Sequence, residues 1–123
     1  MFLIGIRGAT TVTINSRKEI LEKARELILQ ISQENNLIKE NIASVFFTMT
    51  DDINAEFPAV AARELGWTDV PLLCTGEIKV AKALEKCIRI LIHYNCEVKT
   101  KAKHVYLHEA KKLRPDLVGV GRT

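Results

Sequence analysis

The sequence predicts one α+β domain, in which a mixed β-sheet has its helices packed on one side. Three observations predict this class. A capped amphipathic helix lies near the N-terminus, several short apolar runs have the length of strands, and the two kinds of element do not alternate strictly. The 123 residues contain no internal repeat, low-complexity tract or linker. A single domain is therefore expected over residues 1–123.

The first element is a strand over residues 2–13, which begins with apolar residues at alternate positions. Gly8 predicts a bend, which would leave Arg7 near the end of the strand. The planar guanidinium of Arg7 suits bidentate recognition of a carboxylate, although an isolated arginine is weak support for a binding site.

The second element is a helix that begins with a capping box. In this motif Ser16 and Glu19 can each satisfy the other's free backbone amide. Asn35 and Asn36 end the helix. Its apolar residues have helical spacing and form one stripe, which consists of Ile20, Leu21, Ala24, Leu27, Ile28 and Ile31.

The rest of the chain predicts shorter elements, with Asp51-Asp52 as a turn and Gly66 as a helix stop. Pro58 fits the first turn of a short helix. The expected order is a strand over 43–50, a helix over 58–65, a strand over 70–74, a loop over 75–77, a helical turn over 79–86, and strands over 87–94 and 103–107.

Arg89 stands out in the strand over 87–94. The apolar residues Ile88, Ile90 and Ile92 share one face, which we expect to be core, so the guanidinium lies on the other face among apolar neighbours. Arginine is rarely buried without a partner. Spacing alone leaves two interpretations open, a structural ion pair and a donor to an anionic ligand.

Four further residues are candidates with plain structural alternatives. Arg63 on the short helix fits a solvated surface arginine, and Arg114 is held outside any helix by the proline that follows it. Cys74 fits a small buried apolar residue, and Glu77 fits a surface acid. The residues alone therefore do not name a substrate.

The composition argues against several classes of protein. A net charge of +3 is below that of a dedicated nucleic-acid binder and suits a small anionic ligand. Three cysteines without a C-x-x-C pair argue against a disulfide framework and for a cytoplasmic protein. The N-terminal apolar run is too short for a signal sequence or a membrane span. No acid or thiol has metal-binding spacing to His104 or His108, so no metal is expected.

Six segments follow one another along the chain: GIRGATTV at 5–12, FPAVAARELGW at 57–67, VPLLCTGEI at 70–78, KCIRIL at 86–91, HVYL at 104–107 and LRPDL at 113–117. Together they resemble the monofunctional chorismate mutases of the trimeric α/β type, which are distinct from the all-helical chorismate mutases. The resemblance implies a cofactor-free isomerase that rearranges chorismate to prephenate in the biosynthesis of phenylalanine and tyrosine.

The resemblance also implies a homotrimer with a pseudo α/β barrel, whose active sites lie between neighbouring subunits. Arg7, helped by Tyr106, would bind a substrate carboxylate, and Arg89 would donate to the ether oxygen of the breaking C–O bond. Glu77 and Cys74 would contact the ring hydroxyl, with the Cys74 backbone as a contributor. The pocket would be walled by Phe57, Ala59, Arg63 and Leu73 and closed by the tail residues Arg114 and Leu117.

Such a reaction needs no nucleophile, metal or organic cofactor, which agrees with the absence of the corresponding motifs. One departure from the pattern is Val60, which stands where some relatives carry a charge that would attract the substrate. Two other functions fit parts of the sequence. A small trimeric imine deaminase would explain Arg89 but not the CTGE and LRPDL segments, and a non-catalytic ligand-binding module would regulate amino-acid metabolism.

Overall fold

The computed structural model describes residues 1–118, except for the side chains of residues 117 and 118. Two short 3-10 helices, Lys39–Asn41 and His108–Lys112, accompany the longer elements. The strands and helices are, in chain order, β1 (Phe2–Thr11), α1 (Arg17–Asn35), β2 (Ile42–Met49), α2 (Ala59–Glu64), β3 (Leu72–Gly76), β4 (Cys87–Cys96), β5 (Val105–Tyr106) and α3 (Pro115–Val118).

Within the described chain the five strands join one sheet in the order β3-β2-β4-β1-β5. The central strand β4 runs antiparallel to both neighbours, β1 and β2. The outer strands pair in parallel, β3 with β2 and β5 with β1. Because α1 contacts β1, α2 contacts β3, and the two helices contact each other, both lie on one side of the sheet. The predicted mixed sheet with helices on one side is confirmed.

The hydrophobic core lies between these helices and one face of the sheet. All six apolar residues predicted along α1 are buried. On β4, Ile88, Ile90 and Ile92 are at most 2% exposed, so the predicted core face of this strand is confirmed. The alternate residues, among them Arg89 and Leu91, therefore point to the face that the helices leave open.

Gly8 is not a bend, so that prediction is wrong. Strand β1 continues through it to Thr11, and Arg7 lies in the middle of the strand. A Cβ built on Gly8 would lie 2.6 Å from Cδ1 of Ile31 and 2.9 Å from Cγ2 of Ile90. The glycine is needed here because α1 packs directly against the strand backbone.

The start of α1 agrees with the capping box in one half only. The Ser16 hydroxyl accepts the Glu19 N–H at 3.1 Å, as predicted. The Glu19 carboxylate reaches further back, to the N–H groups of Thr13 at 2.6 Å and Ile14 at 3.0 Å, while Ser16 N–H donates to the carbonyl of Ile14. The hydrogen bond from Thr13 lowers the pKa of Glu19. The helix thus anchors the chain that leaves β1.

Three predicted boundaries are corrected. The third strand is Leu72–Gly76, two residues later than predicted, because pairing with β2 extends into the expected loop. Residues 79–86 form turns instead of a helix, with Lys82 and Lys86 at positive φ. The last strand is only Val105–Tyr106, since the chain then turns into a 3-10 helix.

Candidate active site

A cavity of about 660 Å³ opens on the sheet face opposite the helices. Its floor comes from the three central strands, through Ala9 on β1, Leu91 on β4 and Phe46 on β2. Tyr106 and Leu113 line it beyond β1. This volume suits a small organic ligand.

Three arginines and one glutamate line this cavity among the described residues. Arg7 and Arg89 lie diagonally across adjacent strands, because Arg7 pairs with Leu91 and Arg89 pairs with Ala9. Arg114 comes from the segment between the second 3-10 helix and α3, outside both helices as predicted. The excess of guanidinium groups over carboxylate makes the cavity suited to an anion.

Glu77 is the acid of the cavity, and three contacts fix it. Its backbone N–H donates to the Met49 carbonyl at 2.8 Å, and its Oε2 accepts the Thr48 hydroxyl at 2.5 Å. The same oxygen lies 3.2 Å from Arg89 Nε. The ion-pair interpretation of Arg89 therefore holds, and the guanidinium also faces the cavity with its side chain 47% exposed.

Tyr106 and Arg114 form the far wall. Tyr106 pairs with Ala9 in the sheet and is 6% exposed. Arg114 makes a two-pronged contact to Asp116, with Nε 3.0 Å from Oδ1 and Nη2 2.7 Å from Oδ2. This contact raises the pKa of Arg114 and orients its planar group.

Five of the predicted site residues do not line this cavity, namely Phe57, Ala59, Arg63, Leu73 and Cys74. Cys74 lies on the core face of β3, opposite Phe47, with its thiol near Ala59 and Arg63 of α2. Burial raises the pKa of this thiol, while the Ala59 N–H and the Arg63 charge oppose the increase. Leu73 and Phe57 are 55% and 60% exposed. The side chain of Leu117 lies outside the described residues.

Several lining residues were not predicted. Phe46 and Thr48 of β2 face the cavity, whereas Phe47 between them is in the core. Strict alternation along this strand was the signal that could have identified them. His104 lies at the edge of the site, where its Nδ1 accepts the Arg7 backbone N–H at 2.9 Å. No sequence signal indicates that contact.

Two features are absent from residues 1–118. No group of three or more histidine, cysteine, aspartate or glutamate side chains comes together in a way that would hold a metal ion. No helix in this part of the chain is both long and apolar enough to cross a membrane. The polar side chains that line the cavity are those of its arginines and its glutamate and the hydroxyl groups of Thr48 and Tyr106.

Comparison with known proteins places this geometry in a family. The chain is 42% identical over 119 residues to a chorismate mutase of Bacillus subtilis, covering 95% of this chain and 94% of the relative. It is 43% identical over 115 residues to a chorismate mutase of Thermus thermophilus, covering 92% and 94%. A solved chorismate mutase from Clostridium thermocellum superposes with a TM-score of 0.86 at 45% identity, covering 89% of this chain and 98% of that structure.

The family described as chorismate mutase type I matches residues 3–117, which include every described residue of the cavity. The relatives are matched over nearly their whole length, so the likeness covers the sheet, the helices and the site together. The chain belongs to the chorismate mutase type I family.

Proposed function

We propose that this protein is an isomerase that converts chorismate to prephenate, in the biosynthesis of phenylalanine and tyrosine. The observation that carries the proposal is the cavity that three arginines and one glutamate line together. Chorismate is a dicarboxylate with a ring hydroxyl, so it presents the charges and the polar group that such a lining complements.

The rearrangement is unimolecular, and the protein acts by position and charge. The substrate must be held in a compact conformer, and negative charge must be stabilised on the ether oxygen as the C–O bond breaks. We assign the charge stabilisation to Arg89, because a packed strand and Glu77 both fix its guanidinium. Arg7 on β1 and Tyr106 on the adjacent β5 bind a carboxylate of the substrate. Glu77 accepts a hydrogen bond from the ring hydroxyl.

The remaining site residues are assigned to a neighbouring subunit of a homotrimer. Leu73 lies on the open face of β3, since it pairs with Phe46, and it is 55% exposed. Phe57 and Arg63 are also exposed. Because these side chains do not line their own subunit's cavity, they complete the cavity next to them. Ala59 supports this surface, and Cys74 contributes through its backbone, since its thiol faces α2.

The segment that ends at α3 closes the cavity. Arg114 lines it, and its contact to Asp116 ties the guanidinium to the start of that helix. Leu117 belongs to the same cover in this proposal. The three cysteines are all free thiols, which agrees with a protein that works in the reducing cytoplasm.

The purified protein tests the proposal directly. Chorismate absorbs in the ultraviolet and prephenate does not at the same wavelength, so turnover appears as a loss of absorbance. We expect turnover by wild type and little by Arg89→Ala. A folded protein that binds chorismate without consuming it would contradict the proposal in favour of a ligand-binding module. Ammonia release from an imine would point to the deaminase.

A further inference from the structure

His104 makes a hydrogen bond at the edge of the cavity, and this bond allows only one protonation state of the His104 ring. Its Nδ1 lies 2.9 Å from the backbone nitrogen of Arg7. A backbone N–H only donates, so Nδ1 is unprotonated and the ring carries its single proton on Nε2. The contact therefore exists only while the His104 ring is neutral.

The contact extends the sheet by one step. β5 pairs with β1 only through Val105 opposite Gly8 and Tyr106 opposite Ala9. The His104 ring supplies the acceptor for the next N–H along β1, where the strand pairing has ended. On the other side of Tyr106, the Leu107 N–H donates to the Ala9 carbonyl at 2.9 Å. Two hydrogen bonds to β1 therefore flank Tyr106, one made by His104 and one by Leu107. The one made by His104 involves the backbone of Arg7 itself.

The surroundings of the ring favour its neutral form. Burial, then the charges of Arg7 on β1 and Arg114 on the C-terminal segment, hold the pKa of His104 below the ordinary value of 6.5. From α1, which also contacts β5, Asn35 holds the backbone of Lys103 at 2.8 Å and 2.9 Å. The Glu26 carboxylate of α1 is engaged by His108 at 2.8 Å.

We propose that His104 is a positioning residue for substrate binding, which holds Arg7 and Tyr106 at the spacing of one substrate carboxylate. The inference rests on the proposed function, because it takes the ligand of Arg7 to be a carboxylate of chorismate. Protonation of the ring turns Nδ1 into a donor that faces another donor, and it places a third cation beside Arg7 and Arg114. The contact is then lost, and the carboxylate site loosens.

Because the contact needs a neutral ring, substrate binding depends on pH. The free enzyme binds substrate best above the pKa of His104, and kcat/KM falls as the pH drops through that pKa, which lies below 6.5. Asparagine at position 104 offers an oxygen close to the place of Nδ1 and does not titrate. Alanine offers no acceptor.

Steady-state kinetics of His104→Ala and His104→Asn test the proposal, with His108→Ala as the matched control. We expect His104→Ala to raise KM about three- to tenfold, the value of one hydrogen bond, with a smaller change in kcat. His104→Asn restores KM and removes the fall of kcat/KM at low pH that His104 causes. His108→Ala leaves both unchanged, because its ring faces Glu26.

Two measurements separate this inference from the proposed function. Nitrogen-15 spectra of the histidine rings report an unprotonated Nδ1 in His104, and amide exchange at Arg7 quickens in His104→Ala; neither needs turnover. A protonated Nδ1, or a folded His104→Ala protein with wild-type KM, overturns the inference while wild-type turnover stands. If His104→Ala does not fold, the asparagine variant decides, since an undiminished low-pH fall in kcat/KM overturns the inference.

Discussion

Arg89 is fixed from both sides of its strand. Its neighbours Ile88 and Ile90 are locked in the core, and its Nε lies 3.2 Å from the Glu77 carboxylate. A donor that is already in place needs little reorganisation when charge develops beside it. Because the side chain is half exposed, this ion pair adds little to stability, and its value lies in orientation.

Replacing Arg89 with alanine is expected to lower kcat by about 10²–10³ or more. Negative charge grows on the ether oxygen only as the C–O bond breaks, so the donor role proposed for Arg89 would stabilise the transition state more than bound chorismate. Arg89→Lys keeps the charge but loses the planar fork, and should retain part of the activity. Steady-state kinetics measure both variants, and Arg25→Ala on the exposed face of α1 is the control.

Citrulline at position 89 separates charge from shape within the same experiment. It is neutral and nearly the same shape as arginine, so it should lose most of kcat while still binding chorismate. A citrulline variant with near-wild-type kcat would mean that hydrogen-bond geometry, not charge, stabilises the transition state. The assignment of Arg89 would then be wrong.

Which site residues the sequence could predict depends on how local their contacts are. Arg89 was visible as a candidate because its polarity contrasts with apolar neighbours one and two residues away. Thr48 and His104 were not, because Thr48 meets Glu77 across 29 positions and His104 meets Arg7 across 97. Such contacts depend on strand order and register, which periodicity does not contain.

At the scale of elements, α1 was predicted with its six buried residues because a stripe of 3.6-residue period is a local property. The interpretation of Gly8 failed for the opposite reason. Glycine is equally typical of a bend and of a close approach, and only the packing of Leu27 and Ile31 above the strand distinguishes them. The sequence predicts a longer β5 than the two residues observed, because the apolar pattern does not show where strand pairing ends.

Gly8→Ala should lower the free energy of unfolding by about 1–3 kcal/mol, because the added methyl group overpacks a core that cannot yield. Both Ile31 and Ile90 are at most 2% exposed, so neither can move aside into solvent. Urea unfolding at one protein concentration measures the change. Gly5→Ala on the same strand is the control, since its Cβ meets only Leu91 Cδ1 at 3.6 Å. Equal midpoints for the two variants would contradict the packing argument.

Truncation after Arg114 should raise KM more than it lowers kcat. It removes α3 and with it Asp116, which orients the Arg114 guanidinium at the cavity. A cover contributes alike to the bound substrate and the transition state, and loss of such uniform binding appears in KM. Asp116→Ala keeps the chain but removes the contact, so it should show a smaller rise. An unchanged KM with a collapsed kcat would place the segment in the catalytic apparatus.

In the molecule as a whole, several large apolar side chains remain exposed on the surface of the single chain. Leu3 is 62% exposed on the open face of β1, and Leu73 and Phe57 are 55% and 60% exposed near the opposite edge. Leu3 and Leu73 share the open face of the sheet, and large exposed apolar groups on such a face are typical of a subunit interface. A homotrimer would cover this face and join each cavity to the surface around Arg63, and sedimentation equilibrium at micromolar concentration should give three chains per particle.

Mixing two impaired variants tests whether each site is shared. Arg89→Ala removes a group from a subunit's own cavity, and Arg63→Ala removes one from the surface assigned to its neighbour. After the two are unfolded and refolded together in equal amounts, random assembly into closed rings gives both wild-type groups to about a quarter of the sites. About a quarter of wild-type activity should return. Arg89→Ala mixed with Arg7→Ala is the control, because both groups belong to one cavity and no combination of chains restores them. A trimer that recovers activity in neither mixture would place Arg63 and Arg89 in the same subunit's site, and an Arg63→Ala variant with wild-type activity would place Arg63 in no site. Either result would refute the shared site.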